Sequence, residues 1–370
     1  MLIPDDLETP AVVVDAGLLE RNLSRMADAA AAAGVALRPH AKTHKCLEIA
    51  QRQLAHGASG LTVATLAEAE AFAAAGCPSV FIAYPFWAAS GDRPERVKEL
   101  RTRTDLRIGV DSPSAAAALA TAFPGARVMI EVDSGGHRSG VLPDDVGALA
   151  TWCKSLGLEI VGAFTHPGHS YGSKETVRDT RTDEEFRAAL VRGVEAAVAD
   201  EHAALEAAGA AVAEITGTKP ELSGGSSPTA SARISSPLTE VRPGTYVFGD
   251  RQQMYLSGLS ADDVALIVAA RVVSAPRPGE VVLDAGSKAL TSDRAGWLTG
   301  HGMIVEDPEA TIASLSEEHA VVTGVTAPLK VGDLVRVVPN HVCPVVNLTS
   351  SLTVVRDGLV TGRWPVVARR

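Results

Sequence analysis

Cysteine is scarce in this chain of 370 residues: Cys46, Cys77, Cys153 and Cys343 are the only four, with no CxxC pair and no dense spacing. That pattern excludes a disulfide framework and fits reduced thiols in a cytoplasm, with at most one of the four available as a metal ligand. Long apolar runs are missing as well. Nothing approaches the roughly 18 continuous apolar residues of a spanning helix, and "MLIPDDLETPAVVVD" has no basic start followed by an apolar stretch, so neither a membrane span nor a secretory leader is expected. Basic charge is in deficit, with 34 Lys and Arg against 44 Asp and Glu and a formal net charge of −10. Such a balance argues against nucleic acid or an anionic membrane as the main partner.

Against that background one stretch stands out. "LRPHAKTHK", Leu37 to Lys45, holds Arg38, His40, Lys42, His44 and Lys45, five basic side chains in nine positions. A basic run in an acidic chain answers to something small and local.

The length exceeds one small domain but fits an α/β barrel with an added domain. Apolar residues make up 46% of the chain, enough for a large core. From residue 36 to about 245, short β-branched runs alternate with Ala-rich helical stretches. The strand candidates are "VALRPH", "GLTVAT", "SVFIAY", "DLRIGV", "ARVMIEVD" and "LEIVGAFTH", then weaker ones at "KPELSG" and "TEVRPG". In "AGLLERNLSRMADAAAAAG", Leu19, Leu23, Met26 and Ala30 make one apolar helix face. Eight such units read as a closed parallel (β/α)8 barrel, with an open doubly wound sheet as the alternative. After about residue 250 the texture turns to strands with Gly/Pro turns, a β-rich second domain. The expected division is 16–250 for the barrel and 251–370 for the β-rich domain, with the opening strand in 1–15 joining the latter's sheet.

In parallel barrels chemistry sits at the C-terminal ends of the strands. Four strand ends here carry polar clusters: "RPHAKTHK", "EVDSGGHRSG", "THPGHSYG" and "ELSGGSSPT". Lys42 follows the first barrel strand, and crowding by Arg38, His40, His44 and Lys45 is expected to depress its pKa. A neutral amine is what covalent attachment to a carbonyl requires. Lys45 is the rival, but "THKCLEIA" reads as a helix already begun. Gly224, Gly225 and Ser226 form a turn before a helix start, a backbone arrangement that can hold a phosphate. With an activated lysine on another strand, that turn suggests pyridoxal 5′-phosphate. Arg138 follows a strand and a Gly pair, where it could tune the cofactor's electronics.

Taken together, "TPAVVVD", "RPHAKTHK", "GLTVATLAEAE", "EVDSGGHRSGV", "THPGHSYG", "SGGSSPT", "RPGTYVFGD" and "VVPNHVCPVVNL" resemble the D-threonine aldolase and D-serine dehydratase family, fold type III pyridoxal-phosphate enzymes of alanine-racemase-like fold. The resemblance implies a (β/α)8 barrel, a C-terminal β domain and a homodimer with active sites near the subunit interface. It matches Lys42 to the cofactor-bearing lysine, Arg138 to the strand-end arginine, and Gly224, Gly225 and Ser226 to the phosphate cradle. His40, Tyr171 and Tyr246 stand in motifs that border the cofactor, Tyr171 with a catalytic role. It also explains "PNHVCP": His341 and Cys343, at i and i+2 on a segment expected to be extended, would share one face and bind Zn²⁺ or another divalent metal such as Mn²⁺. His-x-Cys matches the dehydratase branch, whereas aldolases resemble His-x-Asp.

The expected activity is removal of water from a D-3-hydroxy amino acid such as D-serine or D-threonine, giving a 2-oxo acid and ammonia. The alternative is retro-aldol cleavage to glycine and an aldehyde. Racemisation is disfavoured. It needs a second base, a C-terminal-domain tyrosine in alanine racemases, and none of Tyr84, Tyr171, Tyr246 and Tyr255 lies beyond residue 255. A cofactor carrier without enzymatic activity would need no β-rich domain and no metal pair.

Overall fold

The computed structural model describes residues 1–369. Its two sheets divide the seventeen strands by connectivity rather than by order alone. Strand β1 (Ala11–Asp15) is followed by eight short strands, β2 (Ala36–Leu37), β3 (Leu61–Val63), β4 (Ser79–Ile82), β5 (Asp105–Val110), β6 (Arg127–Glu131), β7 (Glu159–Phe164), β8 (Glu221–Gly224) and β9 (Glu240–Val241). All eight pair in parallel, in the order β2-β9-β8-β7-β6-β5-β4-β3. The two edges of that sheet meet at an isolated bridge between His40 and Thr62, with Ser59 N donating to Leu37 O and Thr62 N to Pro39 O, both at 2.8 Å. The strands curl into the barrel that the alternating pattern predicts, and its seam lies at the basic run.

The barrel interior is filled in layers, as successive residues of each strand point alternately into the barrel and toward the helices. At the N-terminal end Arg38 Nε donates to Glu240 Oε2 at 2.6 Å, and Arg107 pairs with Glu221. Above them Phe81, Met129 and Phe164 form a small apolar layer. Gly109 leaves room for it, because a Cβ there would come 2.8 Å from Phe164 Cζ. The outer layer packs helices on the barrel: Leu19, Leu23, Met26 and Ala30, the expected apolar face of helix Ala16–Ala32, are all buried.

Between β7 and β8 runs a 34-residue helix, Asp183–Thr216. Thr182 and Glu185 close its start as a capping box, and Gly217, at φ 74°, ends it in the left-handed conformation that glycine adopts without strain. It buries Leu190, Val194, Val198, Leu205 and Val212, and among them one carboxylate, Glu201.

The second sheet holds β10 (Leu266–Arg277), β11 (Glu280–Leu283), β12 (Met303–Ile304), β13 (Thr311–Leu315), β14 (Ala320–Thr323), β15 (Leu334–Val338), β16 (Ser351–Arg356) and β17 (Leu359–Pro365), together with β1. Strand β1 runs antiparallel to β10 and parallel to β16. Its last residue, Asp15, caps the first barrel helix by accepting from Gly17 N at 2.9 Å and Leu18 N at 3.0 Å, so the chain passes from one sheet into the other barrel layer without a linker. Among the described residues no helix is long and apolar enough to cross a membrane.

Candidate active site

The basic run leaves β2 and enters a one-turn 3₁₀ helix, Ala41–Thr43, capped by His40. His40 Nδ1 accepts from Lys42 N at 3.4 Å. The run then separates into structural and chemical members. Arg38 is spent on Glu240. Lys45, at φ 44°, lies outside the next helix, which begins only at Leu47; this corrects the expectation that "THKCLEIA" starts a helix. Its Nζ is 3.3 Å from Glu68 Oε1 and donates to Asn347 Oδ1 at 2.7 Å and Ala368 O at 3.1 Å. His44 is buried between Gln53 Oε1, 3.2 Å from Nε2, and the Cys46 amide, which donates to Nδ1 at 3.1 Å. Of the arginine and lysine side chains in the run, Lys42 is the one without an ion pair among the described residues.

The Lys42 amine is held below the usual lysine value, as expected, but the cause differs from the expected one. Burial comes first and decides the direction; Cys343 and Glu68 pull the other way, and the cations Arg138 and Arg242 offset them only in part. The neighbours in the run contribute little, because the other cations are neutralised by carboxylates and the histidines are kept uncharged. Burial pushes both His40 and His166 well below the ordinary imidazole value, with Lys42 the next cause for each.

Arg242 was not singled out from the sequence, although "RPGTYVFGD" contains it. It is buried in the barrel, donates through Nε to Ser223 Oγ at 2.8 Å and through Nη2 to Thr165 O, and its guanidinium lies 5.2 Å from the Phe164 ring centroid. Gly244, two residues on, must be glycine: a Cβ would come 2.6 Å from Thr43 Oγ1, so this turn presses directly on the lysine loop. Arg138 lines a cavity of about 150 Å³ with Glu131, Ser139, Thr165 and His166.

Tyr171 ends a short 3₁₀ turn whose position is fixed by Trp297, which donates to Tyr171 O at 2.8 Å. Its hydroxyl is close to Ser227 N and Thr245, and burial, with Cys343 and Asp250 adding to it, raises its pKa above the usual phenol value. Thr245 Oγ1 is buried with no hydrogen-bond partner among the described residues. The Gly224–Ser226 turn faces the same region. Gly225, at φ 79°, turns its amide away from the barrel mouth toward Glu201, while Ser226 Oγ lies 2.9 Å from Ser170 Oγ and caps helix Ser227–Ala232. Tyr246 is placed elsewhere: its hydroxyl accepts from Gln53 Nε2 at 3.1 Å, in the helix layer outside the barrel.

His341 and Cys343 do not lie on an extended segment. Strand β15 ends at Val338, His341 caps helix Val342–Leu348, and Cys343 sits in its first turn. A helix start still brings the two side chains together, because the cap residue remains extended while the next ones turn. Asp250 fixes that start by accepting from Val342 N at 3.1 Å. Burial opposes charge on both groups, yet each sustains the other's: His341 is raised by Cys343 and Asp293, and Cys343 is lowered by His341, then by Lys42. His341 Nδ1 is 2.6 Å from Asp293 Oδ2, which leaves Nε2 for a ligand. An imidazole and a thiolate form a donor pair suited to Zn²⁺ with open positions. No third protein ligand joins them among the described residues.

The chain therefore brings Lys42, His40, Arg138, Tyr171, His341 and Cys343 into one site, with Arg138 at its exposed edge, and leaves Tyr246 outside it. Comparison with known proteins gives consistent relatives. Residues 14–252 match the model of the alanine racemase N-terminal domain, and residues 265–355 that of a putative serine dehydratase domain. The chain is 35% identical to D-threo-3-hydroxyaspartate dehydratase of Delftia sp. (strain HT23), over 91% of each. It is 36% identical to a D-threonine aldolase of Arthrobacter sp, over 98% of this chain and 93% of the aldolase. Among solved structures it is similar to a cysteine-to-alanine mutant of D-threo-3-hydroxyaspartate dehydratase in the metal-free form, with a TM-score of 0.84, 32% identity and 98% of both chains covered.

Proposed function

This chain belongs to the D-threonine aldolase and D-serine dehydratase family of alanine-racemase-like fold, and from that premise we propose that it is a pyridoxal-phosphate- and metal-dependent lyase acting on D-3-hydroxy amino acids. The favoured reaction removes water and releases a 2-oxo acid and ammonia. The observation that carries this reading is the meeting of a poised lysine, Lys42, with the His341–Cys343 donor pair, which influence each other's charge within one buried site.

The residues fit both groups. A buried amine without an ion pair suits covalent attachment, the partnerless Thr245 hydroxyl suits an anion, and the N,S donor set suits Zn²⁺. Lys42 would hold the cofactor through Nζ, with Ser226 and Thr245 at its phosphate on the turn that Gly224 and Gly225 shape, and Arg138, His40 and Tyr171 as its other contacts; His341 and Cys343 would hold the metal. When bound, the cofactor supplies an electron sink at Cα and the metal a Lewis acid at the β-hydroxyl.

The protein's own part follows from its charges. Lys42 Nζ takes the Cα proton, and burial, with Arg138 and Arg242, holds the amine below the ordinary lysine value, which favours that role. His40 and His166 stay uncharged, so they add no competing cation. Tyr171 keeps its proton and can donate a hydrogen bond. A single lysine base on one face of the substrate restricts turnover to one configuration, D by family membership.

Retro-aldol cleavage is the second reading, supported by the aldolase relative. The reading extends to a homodimer in the cytoplasm, in keeping with four unpaired cysteines. Purified protein incubated with D-serine, D-threonine and D-threo-3-hydroxyaspartate tests it: 2-oxo acid and ammonia support dehydration, glycine and an aldehyde support the second reading, and no turnover of any of them refutes both.

A further inference from the structure

The 34-residue helix carries one side chain that its amphipathic pattern does not explain. Glu201 is fully buried, in a helix face otherwise made of alanine, valine and leucine. Its Oε1 accepts from Gly225 N at 2.5 Å. Its Oε2 is buried with no hydrogen-bond partner among the described residues. The turn is shaped around it: a Cβ on Gly224 would lie 2.5 Å from Oε1. A buried carboxylate with a free oxygen is costly unless something offsets the charge or removes it. The nearest cation is Arg242, already committed to Ser223 and Thr165. Burial, only partly opposed by hydrogen bonds from Gly225 and Thr229 and by Arg242, pushes Glu201 up to about 7.

We propose that Glu201 is the positioning residue of the phosphate turn, the buried acceptor that draws the Gly225 amide backward. This rests on the cofactor reading above. With its N–H held against the helix, Gly225 itself is fixed at positive φ, and Ser226 and Ser227 follow it into the helix start at the barrel mouth. An ionised carboxylate behind an anion would repel it; the protonated acid holds the turn without that repulsion. Glu201 touches neither substrate nor cofactor, and it acts only through the turn.

The test separates a positioning role from mere support of the fold. Full-length protein is stripped of cofactor, and the dissociation constants of pyridoxal phosphate and of pyridoxal are measured by absorbance titration for wild type, Glu201→Gln and Glu201→Asp. Gln keeps the acceptor for Gly225 and cannot ionise, so its affinity for pyridoxal phosphate should stay within about 3-fold of wild type. Asp keeps the carboxyl group but withdraws by one methylene, so it should bind pyridoxal phosphate at least about 10-fold more weakly, with pyridoxal unchanged. Hydrogen–deuterium exchange across Leu222–Thr229 should rise in the Asp variant and not in the Gln variant. Equal loss of both ligands, loss in Gln as large as in Asp, or no change in either would overturn the proposal. If wild type binds neither ligand, the cofactor reading fails and this proposal with it.

Discussion

Thr43 Oγ1 lies 3.3 Å from Cys343 Sγ, a contact between side chains 300 positions apart in the chain. It joins the loop bearing Lys42 to the helix bearing Cys343. Barrel and C-terminal sheet thus meet at the reacting groups, and neither sheet alone contains the site. The metal pair and the lysine are coupled through this one seam, which is why removing either half has a distinct signature.

Lys42→Ala should abolish the borohydride-reducible attachment of cofactor and lower turnover by about 10³-fold or more, within the range of about 10²–10⁴ for loss of a general base, compounded by loss of the anchor. Lys45→Ala should behave differently. It removes the contacts to Glu68, Asn347 and Ala368, so it should lower the melting temperature while the label still maps to Lys42. Peptide mapping after reduction decides; a label on Lys45 or Lys288 would move the anchor.

His341→Ala, or treatment with a chelator, should abolish product formation and leave the visible absorption of the bound cofactor in place. Exchange of the Cα proton with solvent deuterium should continue, because Lys42 is untouched. Cys343→Asp keeps an anionic ligand but makes it harder, so some metal should be retained and activity should shift toward Mn²⁺. Metal analysis alongside the product assay checks this. Full turnover by metal-free protein would return the pair to a structural role.

Asp293 offers a subtler variant. It holds His341 through Nδ1 and leaves Nε2 facing the site. Asp293→Ala should weaken metal affinity about 10–100-fold, the usual effect of removing a partner behind a metal ligand. Asp293→Asn still accepts a hydrogen bond and should recover part of the loss. The measurement is a competition titration against a chromogenic chelator. Unchanged affinity in the alanine variant would mean that the ring is held by the helix start alone.

How much of this was legible follows from the kind of signal each residue leaves. Six of the barrel strands stand out as β-branched runs between helical stretches, because a parallel strand buried on both faces is mostly apolar; the last two, "ELSG" and "EV", are short and polar and leave a weaker signal. Strand β13 did not, since "TIASL" has exposed positions that break its pattern. Lys42, Arg138, His341 and Cys343 sit in compact motifs and were found. His166, Arg242, Thr245 and Asp250 lie inside motifs already quoted, and only the three-dimensional closure of the barrel brings them beside Lys42. Asp293 and Glu201 left no trace: one is a carboxylate in a loop, the other looks like any solvated glutamate in an Ala-rich helix. The helical start at His341 was missed because a cap residue and an extended residue share the same backbone conformation.

The barrel floor makes the last prediction, one of stability rather than catalysis. Arg38 and Glu240 are buried together at 2.6 Å, so Glu240→Ala strands a guanidinium in the interior and should cost about 3–5 kcal/mol. At the rim of the same network Asp105 pairs with Arg127 and accepts from Ser79 Oγ at 3.0 Å. Burial pushes its pKa up, but the Arg127 and Ser79 hydrogen bonds and the charges of Arg127 and Arg107 outweigh it and hold the carboxyl below its ordinary 3.8. A carboxylate lowered in the folded state gives its full stabilisation above the unfolded value and loses it as pH falls through the folded value. The difference in unfolding free energy between wild type and Asp105→Asn should therefore be constant from about pH 5 to 8 and shrink below about pH 4. Urea unfolding at a series of pH values measures it. A difference that persists undiminished at pH 3 would show that the asparagine loses packing rather than charge, and the rim pair would then contribute by shape alone.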